Sequence, residues 1–250
     1  MRVLVLSDIH ANRAALEAIR EECDVCLFLG DVVDYALEPA PCVEWVRRHA
    51  TYAVRGNHDH GVAQKVFLQG AGGYRYLTGV TRPLTVERIT ESQRRWLGAM
   101  PTSRMLTLNG KRYLMVHATP RDPMDEYAPP DVDFWTRKLD GISADYVCVG
   151  HTHVQFILQV GDTTVVNPGS VGIPRDGDPR AAYAVITDDG PVLRRVEYPI
   201  DETVAAVEAA DMPDLAKQML TEILRNGRLE RKAVNGRPAE GNGTVETPTG

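Results

Sequence analysis

Five short polar clusters within the first 153 residues supply side chains that bind divalent metal ions. They are Asp8-Ile9-His10, Gly30-Asp31-Val32-Val33-Asp34, Gly56-Asn57-His58-Asp59, His117 and Gly150-His151-Thr152-His153. Carboxylate and amide oxygens and imidazole nitrogens suit hard or borderline divalent ions. Two such ions would give the site a positive charge that attracts a phosphoryl anion. The clusters therefore predict a two-metal phosphoesterase site.

The elements that must position these clusters are short strands. Apolar runs at residues 2–7 and 25–29 precede the first two clusters, and a weaker run at 52–54 precedes the third. Helical spacing at 12–22 and 41–49 separates them. This alternation predicts parallel strands with right-handed crossovers. Because open α/β folds bind ligands at the carboxyl ends of such strands, the clusters should converge there.

The second half of the chain predicts more antiparallel strands. Asn109-Gly110, between two apolar runs, is a strong hairpin signal. Upstream, Thr90-Glu91-Ser92-Gln93 is a capping box that opens a helix, whereas residues 60–80 are less periodic and predict a helical insert or a lid. Further strands are expected at 146–149, 155–160, 163–166, 182–187 and 192–198, and helices at 132–139, 202–210 and 214–225.

The predicted organisation is one domain over residues 1–227, with two packed sheets, helices outside them and a lid insert near 60–100. Residues 228–250 are rich in Gly, Pro, Thr and charge and almost devoid of large apolar side chains. Such a composition is unable to build a core, so we expect a disordered tail.

Composition limits the classes of function. A net charge of −6 argues against a protein that binds nucleic-acid polymers through a broad basic surface. The chain starts directly on a strand-like run and has no apolar stretch of the roughly 18–20 residues that span a membrane, so we expect a cytoplasmic protein without a membrane partner. Cys23 and Cys26 have CxxC spacing but no second pair, which favours buried thiols over a zinc or redox site.

In order and spacing, the polar clusters resemble the motifs of the calcineurin-like metallophosphoesterase superfamily, which are D-x-H, G-D-x-x-D, G-N-H-[DE], H and G-H-x-H. The resemblance implies an α/β fold, a four-layer α/β/β/α sandwich of two mixed sheets with flanking helices. It also implies seven ligands for two divalent ions, with Asp31 shared. One ion would be bound by Asp8, His10, Asp31 and His153, and the other by Asp31, Asn57, His117 and His151.

The same resemblance implies roles for other residues. His58 would face the substrate and stabilise the phosphoryl group or protonate the leaving oxygen, and Asp34 would orient it. Asp59 is a weaker candidate for supporting the ligands. A metal-bridging hydroxide would attack phosphorus without a covalent enzyme intermediate. Donors of these types suit Mn²⁺, Fe, Zn, Ni and Co, and we take Mn²⁺ as the first candidate.

Two further stretches, 117–123 and 167–172, resemble a bacterial and archaeal branch of the superfamily, the YfcE-like phosphodiesterases. They read His117-Ala118-Thr119-Pro120-Arg121-Asp122-Pro123 and Asn167-Pro168-Gly169-Ser170-Val171-Gly172. Tyr35 stands where the protein phosphatases have a phosphate-clamping arginine. Candidates to replace that arginine in substrate binding are Arg13, Arg55, Arg121 and Arg175. Ala118 and Ile173 replace a glycine and a glutamine usual in the branch, and both would alter the substrate pocket.

Three functions of different classes remain open. The leading one is hydrolysis of a phosphodiester or phosphomonoester of a small molecule or nucleotide. The alternatives are a non-catalytic protein-binding scaffold, like the retromer subunit of this fold, and a DNA nuclease of the superfamily. The complete ligand set and His58 argue against the scaffold, and the negative charge and short tail argue against the nuclease. The oligomeric state is open too: residues 201–226 could pack on the sandwich or form the contact of a homo-oligomer.

Overall fold

Apolar runs rich in Val, Leu and Ile form ten strands in the described part of the chain, residues 1–230 of this computed structural model. Residues 231–250, and with them most of the tail predicted at 228–250, lie outside the described residues. The strands are β1 (Val3–Leu6), β2 (Val25–Phe28), β3 (Tyr52–Ala53), β4 (Ser103–Leu108), β5 (Lys111–Val116), β6 (Tyr146–Cys148), β7 (Gln155–Val160), β8 (Thr163–Pro168), β9 (Ala181–Thr187) and β10 (Gly190–Val196). The helices are α1 (Arg13–Ala18), α2 (Pro39–His49), α3 (Asn57–Ala63), α4 (Gly73–Arg88), α5 (Glu91–Ala99), α6 (Val132–Leu139), α7 (Ile200–Ala209) and α8 (Asp214–Asn226).

The strands form two mixed sheets of five strands, in the orders β10-β9-β1-β2-β3 and β4-β5-β6-β8-β7. In the first sheet, β1, β2 and β3 are parallel and β9 runs antiparallel to β1. In the second, β5, β6 and β8 are parallel, and the hairpins β4–β5 and β7–β8 supply the antiparallel edges. The parallel strands of each sheet therefore end at one rim, as the strand–helix alternation predicts.

The two sheets pack face to face through alternate side chains of their strands. Val3 and Val5 of β1 lie with Met115 of β5 in a buried cluster between the sheets. Leu4 and Leu6 point the other way, into a cluster with α1, α2 and α5. Helix α6 covers the outer face of the second sheet. The predicted four-layer α/β/β/α sandwich is confirmed.

Local signals account for several element boundaries. Thr90 caps α5, and its hydroxyl oxygen accepts from the backbone N–H of Gln93, as predicted. Helix α1 ends at Ala18, four residues before the predicted end. The segment after it is held instead by Glu21, which pairs with Arg2 of the N-terminal strand region and accepts from Tyr183 Oη.

Helix α4 is a regular helix of 16 residues that begins within the stretch 60–80, where the sequence predicts a helical insert or a lid, and it continues to Arg88. The side chains that α4 buries are Leu77, Thr78, Thr81, Arg82 and Thr85. They share one face, but only Leu77 is apolar. Other apolar side chains of α4, Tyr74, Val80 and Leu84, are only partly buried, so the apolar 3.6-residue pattern that signals a helix is weak. The glycines before α4 and Pro83 within it weaken the signal further.

Candidate metal centre

Loops at the carboxyl ends of the strands carry the predicted site residues. These residues are Asp8 and His10 after β1, Asp31 and Asp34 after β2, Asn57 and His58 at the start of α3, His117 after β5, and His151 and His153 after β6. All except Asn57 are buried. The backbone N–H of His151 donates to Asp8 Oδ2 over 3.1 Å, which links the rims of the two sheets.

The backbone of these loops is in an energetically costly conformation. Ten non-glycine residues of the described chain have a positive φ, and six of them are predicted site residues with φ between 49° and 68°: Asp8, His10, Asp31, Asp34, His151 and His153. Left-handed backbone costs a non-glycine residue about 1–3 kcal/mol and persists only where surrounding contacts fix it. Its concentration here indicates a functional site.

The first group of ligand atoms comes from Asp8, His10 and His153, which lie within 4.8 Å of one another. His153 Nε2 is 3.2 Å from Asp8 Oδ1 and 3.2 Å from His10 Nε2. These three buried atoms face a common point, as ligands of one ion would.

The second group comes from Asp31, His117 and His151 and is equally compact. His117 Nε2 is 3.1 Å from Asp31 Oδ2. The same Asp31 oxygen is 3.9 Å from His10 Nε2 of the first group. Asp31 therefore faces both groups.

Backbone carbonyls fix the histidine rings. The Nδ1–H of His10 donates to the carbonyl of Val33 at 2.9 Å, and that of His117 donates to the carbonyl of Leu29 at 2.9 Å. His153 makes the same bond to Ile173, so all three rings turn Nε2 toward the centre. His151 is reversed: Nε2 donates to the carbonyl of Asp125, which leaves Nδ1 free. In histidines that ligate metals, a hydrogen bond from the ring nitrogen that does not bind the ion typically orients the ring.

Two divalent ions fit this set of donors. Four of the predicted ligand atoms are buried and lack a hydrogen-bond partner within residues 1–230: Asp8 Oδ1, Asp31 Oδ2, Asn57 Oδ1 and His117 Nε2. An unpaired buried polar atom costs about 1–3 kcal/mol, and native structures seldom leave one unexplained. An ion bonded to these atoms would remove that cost.

Burial and local charges favour the metal-binding protonation state of Asp31, His10 and His151, but not that of His117. Burial alone would raise the pKa of Asp31, but the facing imidazoles, His117 foremost, hold it well below its usual range. Burial lowers the pKa of His10 well below its ordinary value, and it lowers that of His151 to about 3. Burial also lowers the pKa of His117, but the nearby Asp31 carboxylate has the larger effect and raises this pKa to about 10. An ion binding at His117 would displace a proton.

Residues without an assigned ligand role hold the loops in place. Asp59 accepts the backbone N–H groups of Asp31 and Val32 at 2.7 and 2.9 Å, and burial raises its pKa to about 7. Asn167 donates to the carbonyl of Gly150, and Ser170 Oγ donates to the carbonyl of Asp8. The sequence singles out the stretch 167–172 only as a subfamily motif, and the structure gives it this supporting role.

His58 and Asp34 form a buried pair beside the ligand groups. The Nδ1–H of His58 donates to Asp34 Oδ2 over 2.8 Å, since a carboxylate only accepts. The other nitrogen, Nε2, lies 3.4 Å from Tyr35 Oη. Arg82 of α4 also donates to Asp34 Oδ2, through Nε and Nη2. Arg82 belongs to no motif and is 48 positions from Asp34, so nothing in the sequence marks it as part of the site.

A cavity of about 550 Å³ opens beside His58. Asn57 and His58 form one end of it, and Tyr35, Tyr74 and Tyr127 contribute aromatic walls. Small-molecule sites usually have about 300–1,000 Å³, so the cavity has the size for an organic ligand attached to a phosphoryl group.

Arg175 contacts two of the tyrosines that line this cavity. Its guanidinium is 3.8 Å from the centroid of the Tyr74 ring, and Nη1 donates to Tyr127 Oη over 3.2 Å. Its backbone N–H donates to the carbonyl of His153. In the chain up to residue 230, no carboxylate lies within 4 Å of the guanidinium. The result is a cation without a counter-ion next to a predicted metal ligand.

The other three predicted substrate-binding arginines have different surroundings. Arg13 forms a surface ion pair within α1. Arg55 donates to the carbonyl of Gly98, and Arg121 donates to that of Asp140. The structure does not bring these three to the cavity.

A family model settles the relationship of the chain to known proteins. The calcineurin-like phosphoesterase superfamily domain matches residues 1–190. The chain belongs to this superfamily. No helix of this superfamily member, within residues 1–230, is long and apolar enough to cross a membrane.

Relatives within the calcineurin-like superfamily cover most of the chain. The uncharacterized protein MJ0912 of Methanocaldococcus jannaschii is 29% identical over 238 residues, 85% of this chain and 94% of that protein. Phosphodiesterase YfcE of Escherichia coli is 25% identical over 204 residues, 76% of this chain and 89% of YfcE. A metallophosphoesterase structure from Sphaerobacter thermophilus has a TM-score of 0.76 and 30% identity, and the match covers 91% of this chain and 99% of that one. The predicted likeness to YfcE-like enzymes is confirmed.

Proposed function

We propose that this chain is a phosphoesterase that uses two divalent metal ions to hydrolyse a phosphodiester or phosphomonoester of a small molecule. The observation that carries the proposal is the position of Asp31. Its unpaired Oδ2 lies between His117 of one ligand group and His10 of the other. A carboxylate shared between two ions is suited to phosphoester hydrolysis, in which paired ions act on both the attacking and the leaving oxygens.

Seven side chains would hold the ions: Asp8, His10, Asp31, Asn57, His117, His151 and His153. When bound, the ions would polarise the phosphoryl oxygens and lower the pKa of a nearby water. Mn²⁺ is the first candidate, and Fe, Zn, Ni and Co suit the same donors.

His58 would donate a proton to the leaving alcohol oxygen. The bond from its Nδ1–H to Asp34 fixes the ring and leaves Nε2 on the side of the cavity. A proton donor must lie within hydrogen-bond reach of the oxygen that leaves, and the cavity beside His58 provides room for that alcohol.

Arg175 would bind the non-bridging oxygens of the phosphoryl group. Its guanidinium has no carboxylate partner among the described residues, and Tyr74 and Tyr127 hold it in place. A planar guanidinium matches two phosphate oxygens better than an ammonium does. Arg175 would thus take the part of the arginine that Tyr35 replaces.

The cavity supports a small substrate. Its volume accommodates one nucleoside-sized group, and the net charge of −6 disfavours a nucleic-acid polymer. YfcE is named a phosphodiesterase, so phosphodiesters are the first class to test.

The test is hydrolysis of bis(p-nitrophenyl) phosphate and of p-nitrophenyl phosphate by chelator-stripped protein, before and after addition of Mn²⁺. We expect hydrolysis only after metal is restored, and the ratio of the two rates separates diesterase from monoesterase. Metal-loaded protein that hydrolyses neither ester would contradict the proposal.

A further inference from the structure

Arg82 is an arginine of α4 whose contacts are all internal. Its side chain is 3% exposed. Nε and Nη2 donate to Asp34 Oδ2 at 2.9 and 2.7 Å, and Nη1 donates to the carbonyl of Val66 at 3.0 Å. Arg82 forms part of the wall of the cavity beside His58, but each of its three nitrogens already donates to an internal acceptor and its head group is buried. Arg82 is therefore placed to hold Asp34.

Asp34 in turn restrains His58 through a hydrogen bond. One oxygen, Asp34 Oδ2, accepts from both Arg82 and His58 Nδ1, whereas Oδ1 has no partner within residues 1–230. Arg82 Nη2 is also 3.4 Å from His58 Nδ1, so the three groups touch. The arginine therefore fixes the rotation of the carboxylate, and the carboxylate fixes the plane of the imidazole.

The surrounding chain is shaped around this arrangement. A Cβ at Gly61 would collide with the Arg82 guanidinium, so glycine there makes room for it. One turn before Arg82, Thr78 Oγ1 donates to Tyr35 Oη, and Thr81 Oγ1 accepts the backbone N–H of Tyr35. Tyr35 and Asp34 have φ of 65° and 68°, so α4 also stabilises the strained turn that carries Asp34.

We propose that Arg82 is a positioning residue for phosphoester hydrolysis, which holds His58 through Asp34 in the orientation that protonates the leaving alcohol. The inference rests on the function proposed above. In the step concerned, a water that has already lost a proton to solvent attacks as hydroxide, and its oxygen forms the new P–O bond while the P–O bond to the alcohol breaks. The proton from His58 Nε2 goes to the alcohol oxygen, which leaves as a neutral alcohol, and solvent later returns a proton to His58.

The test measures kcat and KM of the Mn²⁺-loaded protein on aryl methyl phosphates, from 4-nitrophenyl to phenyl. Proton donation matters more as the leaving phenol becomes less acidic. For Arg82→Met we expect kcat to fall roughly 10-fold on the 4-nitrophenyl ester and about 100-fold on the phenyl ester, with little change in KM. Arg82→Lys should restore part of the loss, because lysine keeps the charge but loses the forked geometry.

Three further variants separate positioning from a general structural effect. Arg88→Met, on the same helix with an exposed arginine that donates to the carbonyl of Leu37, is the matched control and should change neither parameter. Gly61→Ala should reproduce the Arg82→Met pattern by displacing the guanidinium. In a His58→Gln background, Arg82→Met should have almost no additional effect, because residues that act through one group are not additive.

The outcomes are distinguishable. An equal loss on every ester, additive effects of Arg82→Met and His58→Gln, or unchanged kinetics would each overturn the role of Arg82. If Arg82→Met fails to fold or to bind metal, Gly61→Ala and Arg82→Lys decide between the same outcomes. A wild-type protein that binds metal but hydrolyses no ester would instead refute the proposed function, and the role of Arg82 with it.

Discussion

At the scale of single residues, Asp31 contacts the helix that carries His58 and both groups of candidate ligands. Oδ1 accepts the backbone N–H of His58 over 2.9 Å, and Oδ2 is the unpaired oxygen that faces both histidine groups. A Cβ at Gly56 would collide with this carboxylate, so the chain also leaves space for it. One side chain thus links both candidate ion positions to the helix that carries His58.

Asp31→Asn should therefore weaken the binding of both ions, because Asp31 would be a ligand of each. We expect metal content to fall from about two ions per chain to less than one, and kcat to fall by at least about 100-fold, because an amide oxygen is uncharged and a poorer bridge between ions. Elemental analysis of dialysed protein and the diester assay measure the two effects. Asp176→Asn, which alters a carboxylate paired with Arg195, is the control. Retention of two ions by Asp31→Asn would show that Asp31 is not shared.

The sequence predicts the site residues that belong to motifs. It does not predict a residue outside the motifs that only the fold brings to the site. The structure gathers the Asp and His residues of the five clusters because each follows a strand end, and strand ends are readable from apolar runs. Arg82 is 48 positions from Asp34 and has no motif, so only the fold brings the two together. Arg13 and Arg55 stand next to motifs, yet their contacts lead away from the cavity.

At the scale of elements, α4 stabilises the turn after β2 through hydroxyl groups. The backbone N–H of Tyr35 is buried and donates to Thr81 Oγ1 over 3.0 Å. Thr85 lies one turn further along the same face, is equally buried and has no such bond to the turn. The two threonines therefore form a natural pair of test and control positions.

Thr81→Val should lower the free energy of unfolding by about 1–3 kcal/mol, because valine keeps the shape but leaves the Tyr35 N–H unpaired. Chemical denaturation of metal-free protein measures this change. Thr85→Val should cost much less. Equal effects of the two substitutions would contradict a specific role for the bond between Thr81 and Tyr35.

Strands are predicted more accurately than the helical insert for a physical reason. The predicted runs at 155–160 and 146–149 match β7 and β6 to within one residue, because both are apolar runs bounded by turn signals. Helix α4 buries mainly polar side chains and only partly buries most of its apolar ones, so its apolar pattern is weak. The helix that holds Asp34 is for this reason harder to predict from sequence than the strands.

At the scale of the whole molecule, the site joins two sheets that share one core. The bond from His151 N–H to Asp8 crosses from one sheet to the other, and the orphaned ligand atoms lie at the same junction. Ions bound there would connect ligands from both sheets, so metal binding should stabilise the entire fold rather than one loop.

The melting temperature should accordingly rise when metal is added. An ion present at 100 times its Kd stabilises the folded state by about 2.7 kcal/mol, and 1 kcal/mol shifts Tm by about 2–4 °C in a chain of this size. We therefore expect about 5–10 °C on addition of Mn²⁺ to stripped protein, and little change for Asp31→Asn. Calorimetry of the wild type and of Asp31→Asn measures these changes in Tm. Equal increases in the two proteins would show that the stabilising ion does not bind at Asp31.

The most direct measurement is a titration of the stripped protein with Mn²⁺ in which bound metal and the rate of bis(p-nitrophenyl) phosphate hydrolysis are recorded together. The shared Asp31 and the two compact ligand groups predict that two ions bind per chain and that the rate rises with occupancy of the second. Full activity with one bound ion, or an undiminished rate in excess chelator, would contradict a two-metal mechanism.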